Sequence, residues 1–188
     1  MILFTCVFES YIKYNFHVGL TVWALAQITA LDFGLNLHLI HHLIFFMAPF
    51  LGYNFIKYHL LYWRTSLIKS FRINLLLGFF LLCILVSGGV IFFLPISSQL
   101  LFFFTLLLGL LYCLPLPGFK INFRGFKGLK IHLVALSWVL MTVFLPLTLE
   151  GVSLRELSFM YGFQRYLFVI AATLPFEIRD LKLDHPNL

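Results

Sequence analysis

Charged residues are scarce in this chain of 188 residues, where they make up 11% of the sequence against 62% apolar residues. Soluble domains carry about 25% charged residues and are about half apolar. A water-soluble globule of this size would lack the polar side chains that cover a surface, and the mean hydropathy of +1.01 agrees. The composition excludes a soluble enzyme, a nucleic-acid-binding module and a disordered protein, and it predicts a membrane protein.

Cysteine is also scarce, and the first apolar run has no basic segment in front of it. Cys6, Cys83 and Cys113 are isolated, with no CxxC pattern and no metal-ligand spacing, so we interpret them as small buried hydrophobes. The first apolar run soon meets Glu9 and Lys13, which is unlike a cleavable signal peptide.

Six long apolar runs dominate the rest of the sequence. They cover residues 15–34, 36–56, 74–94, 99–116, 131–149 and 159–178. Each is close to the roughly 20 residues that a helix needs to cross the hydrocarbon layer. Because a spanning segment must satisfy its own backbone hydrogen bonds, we predict an all-α polytopic bundle of about six transmembrane helices, with residues 1–188 forming a single integral-membrane domain.

The loops between these runs alternate in charge. Eleven of the thirteen basic residues fall on one side of the predicted membrane, and the two connecting loops on that side contain no acid. These residues are Lys13, Lys57, Arg64, Lys69, Arg72, Lys120, Arg124, Lys127, Lys130, Arg179 and Lys182. Cytoplasmic loops carry the excess of Lys and Arg, so we predict that both ends of this chain are cytoplasmic.

An acidic pair follows the sixth run on the same side. Asp180 and Asp184 are four residues apart, so on a helix they would share one face and repel each other unless a cation lay between them. A hard divalent ion such as Mg²⁺ suits two carboxylates and a substrate phosphate. The alternative is a solvated juxtamembrane turn of mixed charge.

Three segments together resemble the UbiA family of intramembrane prenyltransferases. The segment Asp180-Leu-Lys-Leu-Asp184 matches the second aspartate motif of that family, DxxxD. The segment Asn54-Phe-Ile-Lys-Tyr58-His-Leu-Leu-Tyr62 stands where the family has NxxxDxxxD, with the asparagine kept and both aspartates replaced by tyrosine. The segment from Tyr112 to Lys120 resembles the tyrosine-containing basic loop of the family.

The resemblance implies a UbiA-like fold, location in the cell (inner) membrane and Mg²⁺-dependent transfer of a prenyl group. It implies that Asp180 and Asp184 are catalytic metal ligands, and that the diphosphate of the donor contacts Asn54, Lys57, Tyr112 and Lys120. The partners would be the lipid bilayer, a prenyl diphosphate and an aromatic or lipid acceptor. The family usually has nine helices, so we expect this chain to be a fragment or a shortened relative.

Three histidines and one arginine in the apolar runs are further candidates for a role. His38, His41 and His42 begin the second apolar run, where they form either a metal site or an interfacial polar cap. Arg165 lies inside the sixth run, where we expect it to face the bundle or to reach toward water, with Glu150 or Glu156 as its partner.

Two functions from different classes remain open. The first is a UbiA-like prenyltransferase, impaired by Tyr58 and Tyr62 because neutral phenols cannot replace carboxylates as metal ligands. The second is a catalytically inactive relative that binds an isoprenoid or lipid, or serves as a membrane assembly partner. A small transporter is less favoured, since the acidic residues of these runs, Asp32 and Glu177, lie at the ends of their spans and not in the middle.

Overall fold

The computed structural model describes residues 8–9, 11–12, 14–64, 85, 88–113 and 128–184, of which 55–64, 113, 176 and 179–184 are described by their backbone alone. The regular structure within these ranges is entirely helical, as predicted. In chain order the helices are α1 (Phe16–Phe33), α2 (Leu39–Arg64), α3 (Ile96–Cys113), α4 (Leu129–Val139), a π-helical segment (Leu140–Phe144), α5 (Leu145–Leu149) and α6 (Glu156–Asp184).

The chain divides into two compact units, residues 1–95 and 96–188. In the first unit α1 and α2 form a helical hairpin. Gly34 ends α1 in the left-handed conformation with φ of 63°, which lets the amide of Leu35 donate to the carbonyl of Ala30 at 2.8 Å. Glycine adopts this conformation without the steric cost of a Cβ atom, so the connection between the helices is short.

A close backbone approach joins α1 to α2. A Cβ atom built on Gly19 would lie 2.8 Å from the carbonyl oxygen of Phe46 and 2.9 Å from its ring. The side chains of Val22, Ala26 and Phe45 are almost completely buried in this unit. Small residues at helix interfaces allow such approaches, and in an apolar solvent the resulting van der Waals contacts drive helix association.

The second unit packs α6 and α3 against the continuous rod Leu129–Leu149, which comprises α4, the π segment and α5. Pro146 has no amide hydrogen to donate to the preceding turn, and the adjacent amide of Leu145 donates to the carbonyl of Leu140 in the π pattern. The hydroxyl of Ser98 on α3 donates to the hydroxyl of Thr148 on α5 at 3.0 Å, and both side chains are buried.

Two helices in the described part of the chain are long and apolar enough to cross a membrane. They are α1, with 18 residues, and the rod Leu129–Leu149, with 21 residues. Shorter apolar stretches occupy Leu39–Asn54 in α2 and Ile96–Tyr112 in α3. A membrane location is consistent with these helices, whereas the full count of six spans stays a prediction. The predicted span 74–94 lies mostly outside the described residues.

We predict that Gly19→Ala lowers the free energy of unfolding by about 1–3 kcal/mol, because the new methyl group meets the backbone of α2 and forces the helices apart. Gly52→Ala is the matched control, since Gly52 lies in α2 and the position that its new methyl group would take has nothing within 4 Å. Unfolding in detergent micelles measures both variants. Equal stability of the two variants would contradict the close approach.

Candidate functional site

The acidic pair lies on the last turns of α6. This helix continues to Asp184, so the backbone positions of Asp180 and Asp184 are one turn apart on one helical face. The predicted span ended at residue 178, where the apolar run ends, but the backbone stays helical for six more residues. The spacing on which a shared metal depends is therefore present in the backbone.

Asn54 is one of the most deeply buried polar residues of the first unit, with 1% of its surface exposed. Its Nδ2 group donates to the carbonyls of Tyr14, at 2.9 Å, and Phe50, at 2.8 Å. Its Oδ1 atom accepts a hydrogen bond from Nδ2 of Asn15 at 2.9 Å. Both hydrogens of the Asn54 amide are thus used, and the side chain ties the beginning of α1 to the middle of α2.

The rest of the first predicted motif follows on the same helix. Because α2 is helical through Arg64, Asn54, Tyr58 and Tyr62 occupy successive positions on one helical face, and Lys57 lies one turn after Asn54. Of these four residues, only Asn54 has a described side chain. At Asn54 this face of α2 contacts the beginning of α1. A diphosphate contact by Asn54 or Lys57 stays a prediction.

The two remaining predicted residues belong to the second unit. Tyr112 is the penultimate residue of α3 and is partly exposed. Lys120 lies outside the described residues. The structure thus brings the predicted residues together in two sets, one on α2 and one at the end of α6, with Tyr112 at the end of α3.

An ion pair that the sequence did not reveal joins α4 to α6. Nζ of Lys130 lies 2.7 Å from Oε2 of Glu177, and both side chains are largely buried. Lys130 was predicted to belong to a basic loop, but it is the second residue of α4. The spacing of Glu177 three residues before Asp180 does place both on one helical face, but it gives no signal for Lys130.

The histidines contribute to the contact between α1 and α2. Nδ1 of His42 accepts a hydrogen bond from Nε1 of Trp23 at 3.3 Å and lies 2.8 Å from Nε2 of Gln27. The rings of His38 and His41 meet edge to face with centroids 5.6 Å apart. These contacts favour the polar-cap interpretation, since the Nδ1 lone pair of His42 is already engaged by a protein donor.

Arg165 faces the interior of the second unit, as one of the two sequence-based alternatives predicted, and is 7% exposed. Its Nη2 donates to the hydroxyl of Tyr161 at 2.9 Å, and its guanidinium carbon lies 5.4 Å from the centre of the Tyr161 ring. An arginine so deep in an apolar helix is stable only where the protein supplies hydrogen-bond acceptors and an aromatic face.

Among the side chains that the structure describes, no group of three or more His, Cys, Asp and Glu residues could hold a metal ion. The carboxylates of Asp180 and Asp184 are outside that set, so the Mg²⁺ prediction is not tested by it. No protein-family model, curated protein or solved structure matches the chain.

We predict that Asn54→Ala lowers the free energy of unfolding by about 2–3 kcal/mol. The substitution removes the three hydrogen bonds that the Asn54 amide forms with Tyr14, Asn15 and Phe50. Asn36→Ala is the control, since Asn36 is an exposed asparagine in the connection between α1 and α2. Unfolding in detergent micelles measures the difference. An Asn54→Ala protein as stable as the control would contradict the structural role.

Proposed function

We propose that this chain is a UbiA-like integral membrane protein that binds a prenyl diphosphate on its cytoplasmic side and transfers the prenyl group to an aromatic or lipid acceptor. The observation that carries the proposal is the continuity of α6 through Asp184, since it keeps two carboxylate positions one turn apart just beyond an apolar stretch. The sequence resemblance supplies the reaction class.

The surface composition of α6 supports a lipid environment. Nearly all of its exposed large side chains are apolar, with exposed fractions from 47% to 67%. They are Leu157, Phe159, Met160, Phe163, Leu167, Phe168, Leu174 and Ile178. In water such a continuous apolar face would promote aggregation, whereas in a bilayer it is solvated by hydrocarbon chains. The exposed leucines and phenylalanines of α3, such as Leu100, Phe103 and Phe104, support the same environment.

The chemistry of the two carboxylates fits Mg²⁺. This ion prefers oxygen ligands and is commonly bound by one or two carboxylates together with the phosphates of a substrate. We assign the ion to Asp180 and Asp184, where, when bound, it would neutralise charge on the diphosphate leaving group. The other ligands of the ion would be water and the oxygens of the diphosphate.

The proposed reaction breaks the bond between the prenyl carbon and the diphosphate oxygen. The diphosphate leaves with the electron pair, the acceptor forms a bond to the prenyl carbon, and the acceptor then loses a proton. Lys57, Tyr112 and Lys120 would contact the diphosphate by charge-assisted and neutral hydrogen bonds, with Asn54 as a further contact. These residues would bind and orient the diphosphate. Stabilising the negative charge on this leaving group is the largest electrostatic requirement of the reaction.

A second candidate is a catalytically inactive protein that binds an isoprenoid or a lipid. Two observations favour it. Tyr58 and Tyr62 occupy the face of α2 where the family has carboxylates, so a second Mg²⁺ would lack its ligands. The amide of Asn54, the one residue of that motif that is kept, is engaged by backbone carbonyls and by Asn15. Binding without turnover would identify this candidate.

We predict that the purified protein binds farnesyl diphosphate in a Mg²⁺-dependent manner and that Asp180→Asn or Asp184→Asn weakens the binding at least tenfold, since each variant removes an anionic ligand, a loss of about 1.4 kcal/mol or more. Titration with and without Mg²⁺ measures it. Glu156→Gln is the matched control, because Glu156 is an exposed acid in the first turn of the same helix.

The outcomes of this titration separate the candidates. Mg²⁺-dependent binding together with release of diphosphate, in the presence of an aromatic or lipid acceptor, supports the enzyme. Binding that both variants abolish, with no release, supports the inactive binder. Binding that is equal in wild type, Asp180→Asn and Asp184→Asn would refute the site.

We also predict the orientation of the chain in the membrane. In a variant without Cys6, Cys83 and Cys113, a membrane-impermeant maleimide should label Asn36→Cys and Ser153→Cys from outside intact cells. Arg124→Cys should react only after permeabilisation, because the basic loops remain cytoplasmic. Labelling of Arg124→Cys in intact cells would reverse the predicted orientation.

A further inference from the structure

The ion pair between Lys130 and Glu177 joins the beginning of α4 to the last third of α6. Nζ and Oε2 are 2.7 Å apart, and the side chains are 21% and 15% exposed. Partial burial matters because it reduces screening by water and salt, so the pair holds its geometry better than a fully exposed one. The two charges therefore define where this part of α6 lies relative to α4.

Because of Pro175, the position of the end of α6 depends on a contact with another helix, such as this ion pair. Proline has no amide hydrogen, so the bond to the carbonyl of the preceding turn is missing, and helices commonly kink at such positions. Beyond Pro175 the described side chains are Glu177 and Ile178, of which Ile178 is 49% exposed. The contact that the structure gives for holding this segment against the second unit is the ion pair.

The segment that the ion pair holds is also the segment that carries the acidic pair. Glu177, Asp180 and Asp184 occupy positions i, i+3 and i+7 of α6, which lie on one helical face. Lys130 meets that face at Glu177, one turn before Asp180. Glu177 is thus the nearest described point at which the acidic face of α6 is fixed to another helix.

We propose that Glu177 is a positioning residue for the diphosphate site. By holding Lys130, it fixes the end of α6 against α4, so that Asp180 and Asp184 are presented in one orientation to the metal and the diphosphate. This inference rests on the proposed function. Glu177 itself need not touch the substrate, and its negative charge, balanced by Lys130, adds little net repulsion toward the diphosphate.

Charge exchange provides the decisive variants. Glu177→Gln and Lys130→Met each break the ion pair, whereas the double variant Lys130→Glu with Glu177→Lys restores it with the charges exchanged. Tyr166→Phe is the matched control, because it removes the 2.6 Å hydrogen bond between His132 of α4 and Tyr166 of α6, on the other side of Pro175. A general loosening of the contact between α4 and α6 would affect the control as well.

The first measurement is independent of any ligand. Spin labels at Leu136→Cys and Ile178→Cys, in a variant without native cysteines, report the distance between α4 and the end of α6 by double electron–electron resonance. We expect a narrow distribution in the parent protein and in the Tyr166→Phe variant. The distribution should be broad in Glu177→Gln and narrow again in the charge-exchanged variant.

The second measurement is the Mg²⁺-dependent affinity for farnesyl diphosphate. We expect Glu177→Gln to weaken it on the order of tenfold, Tyr166→Phe to leave it unchanged, and the charge-exchanged variant to recover most of the loss. An unchanged affinity in Glu177→Gln overturns the inference, as does a loss that the charge exchange fails to recover.

Failure of the proposed function gives a different result. The wild-type protein would then bind no farnesyl diphosphate under any condition, and the distance measurement alone would decide the role of the ion pair. A distribution that broadens in Glu177→Gln supports the positioning of the end of α6. A distribution that stays narrow overturns it.

Discussion

The structure depends above all on the need to satisfy every polar group inside an apolar environment. A buried amide, hydroxyl or guanidinium without a hydrogen-bond partner costs several kcal/mol in hydrocarbon, about as much as a marginally stable domain can lose. The described contacts meet this need for several buried side chains, in pairs and small sets, although the buried Nδ1 atom of His17 has no hydrogen-bond partner among the described residues. Asn54 is held by backbone carbonyls and Asn15, Ser98 by Thr148, and Arg165 by Tyr161.

These polar contacts also determine which helices pack together. Apolar side chains pack against one another and against lipid with similar energies, so they give little specificity to a helix pair in a membrane. A hydrogen bond between two buried side chains has one correct register. In the first unit the buried Asn15–Asn54 bond fixes α1 against α2, and the more exposed contacts of His42 with Trp23 and Gln27 add to it. The close approach at Gly19 lies between them.

The sequence predicted the helical class and the spacing of the acidic pair but placed several helix ends too early. The predicted spans ended where charge begins, at residues 56 and 178, whereas α2 continues to Arg64 and α6 to Asp184. Lysine, arginine and aspartate leave the hydrocarbon layer without breaking a helix. For the same reason Lys130, predicted in a loop, lies inside α4. The first charged residue after an apolar run is therefore a poor guide to where a helix ends in this chain.

The partners of individual polar residues could not be predicted from the sequence. Asn54 was assigned to a diphosphate because of its place in a motif, yet its described contacts are with residues about 40 positions earlier and with its own helix. Local spacing identifies neighbours on one helix, such as Glu177 and Asp180. It does not identify contacts across helices, which depend on how each pair packs.

The π segment in the rod Leu129–Leu149 affects how this helix would respond to a change in its length. A π turn contains one residue more than an α turn, so it is equivalent to an insertion that was accommodated without interrupting the helix. Positions before Leu140 and after Phe144 therefore follow different phases of the helical repeat. Deleting one residue within Leu140–Phe144 would remove the π turn and leave Thr148 facing Ser98, whereas a deletion between Leu145 and Leu147 would rotate Thr148 by about 100° away from Ser98. Chain length is therefore constrained more tightly in the α-helical parts of the rod than in its π segment.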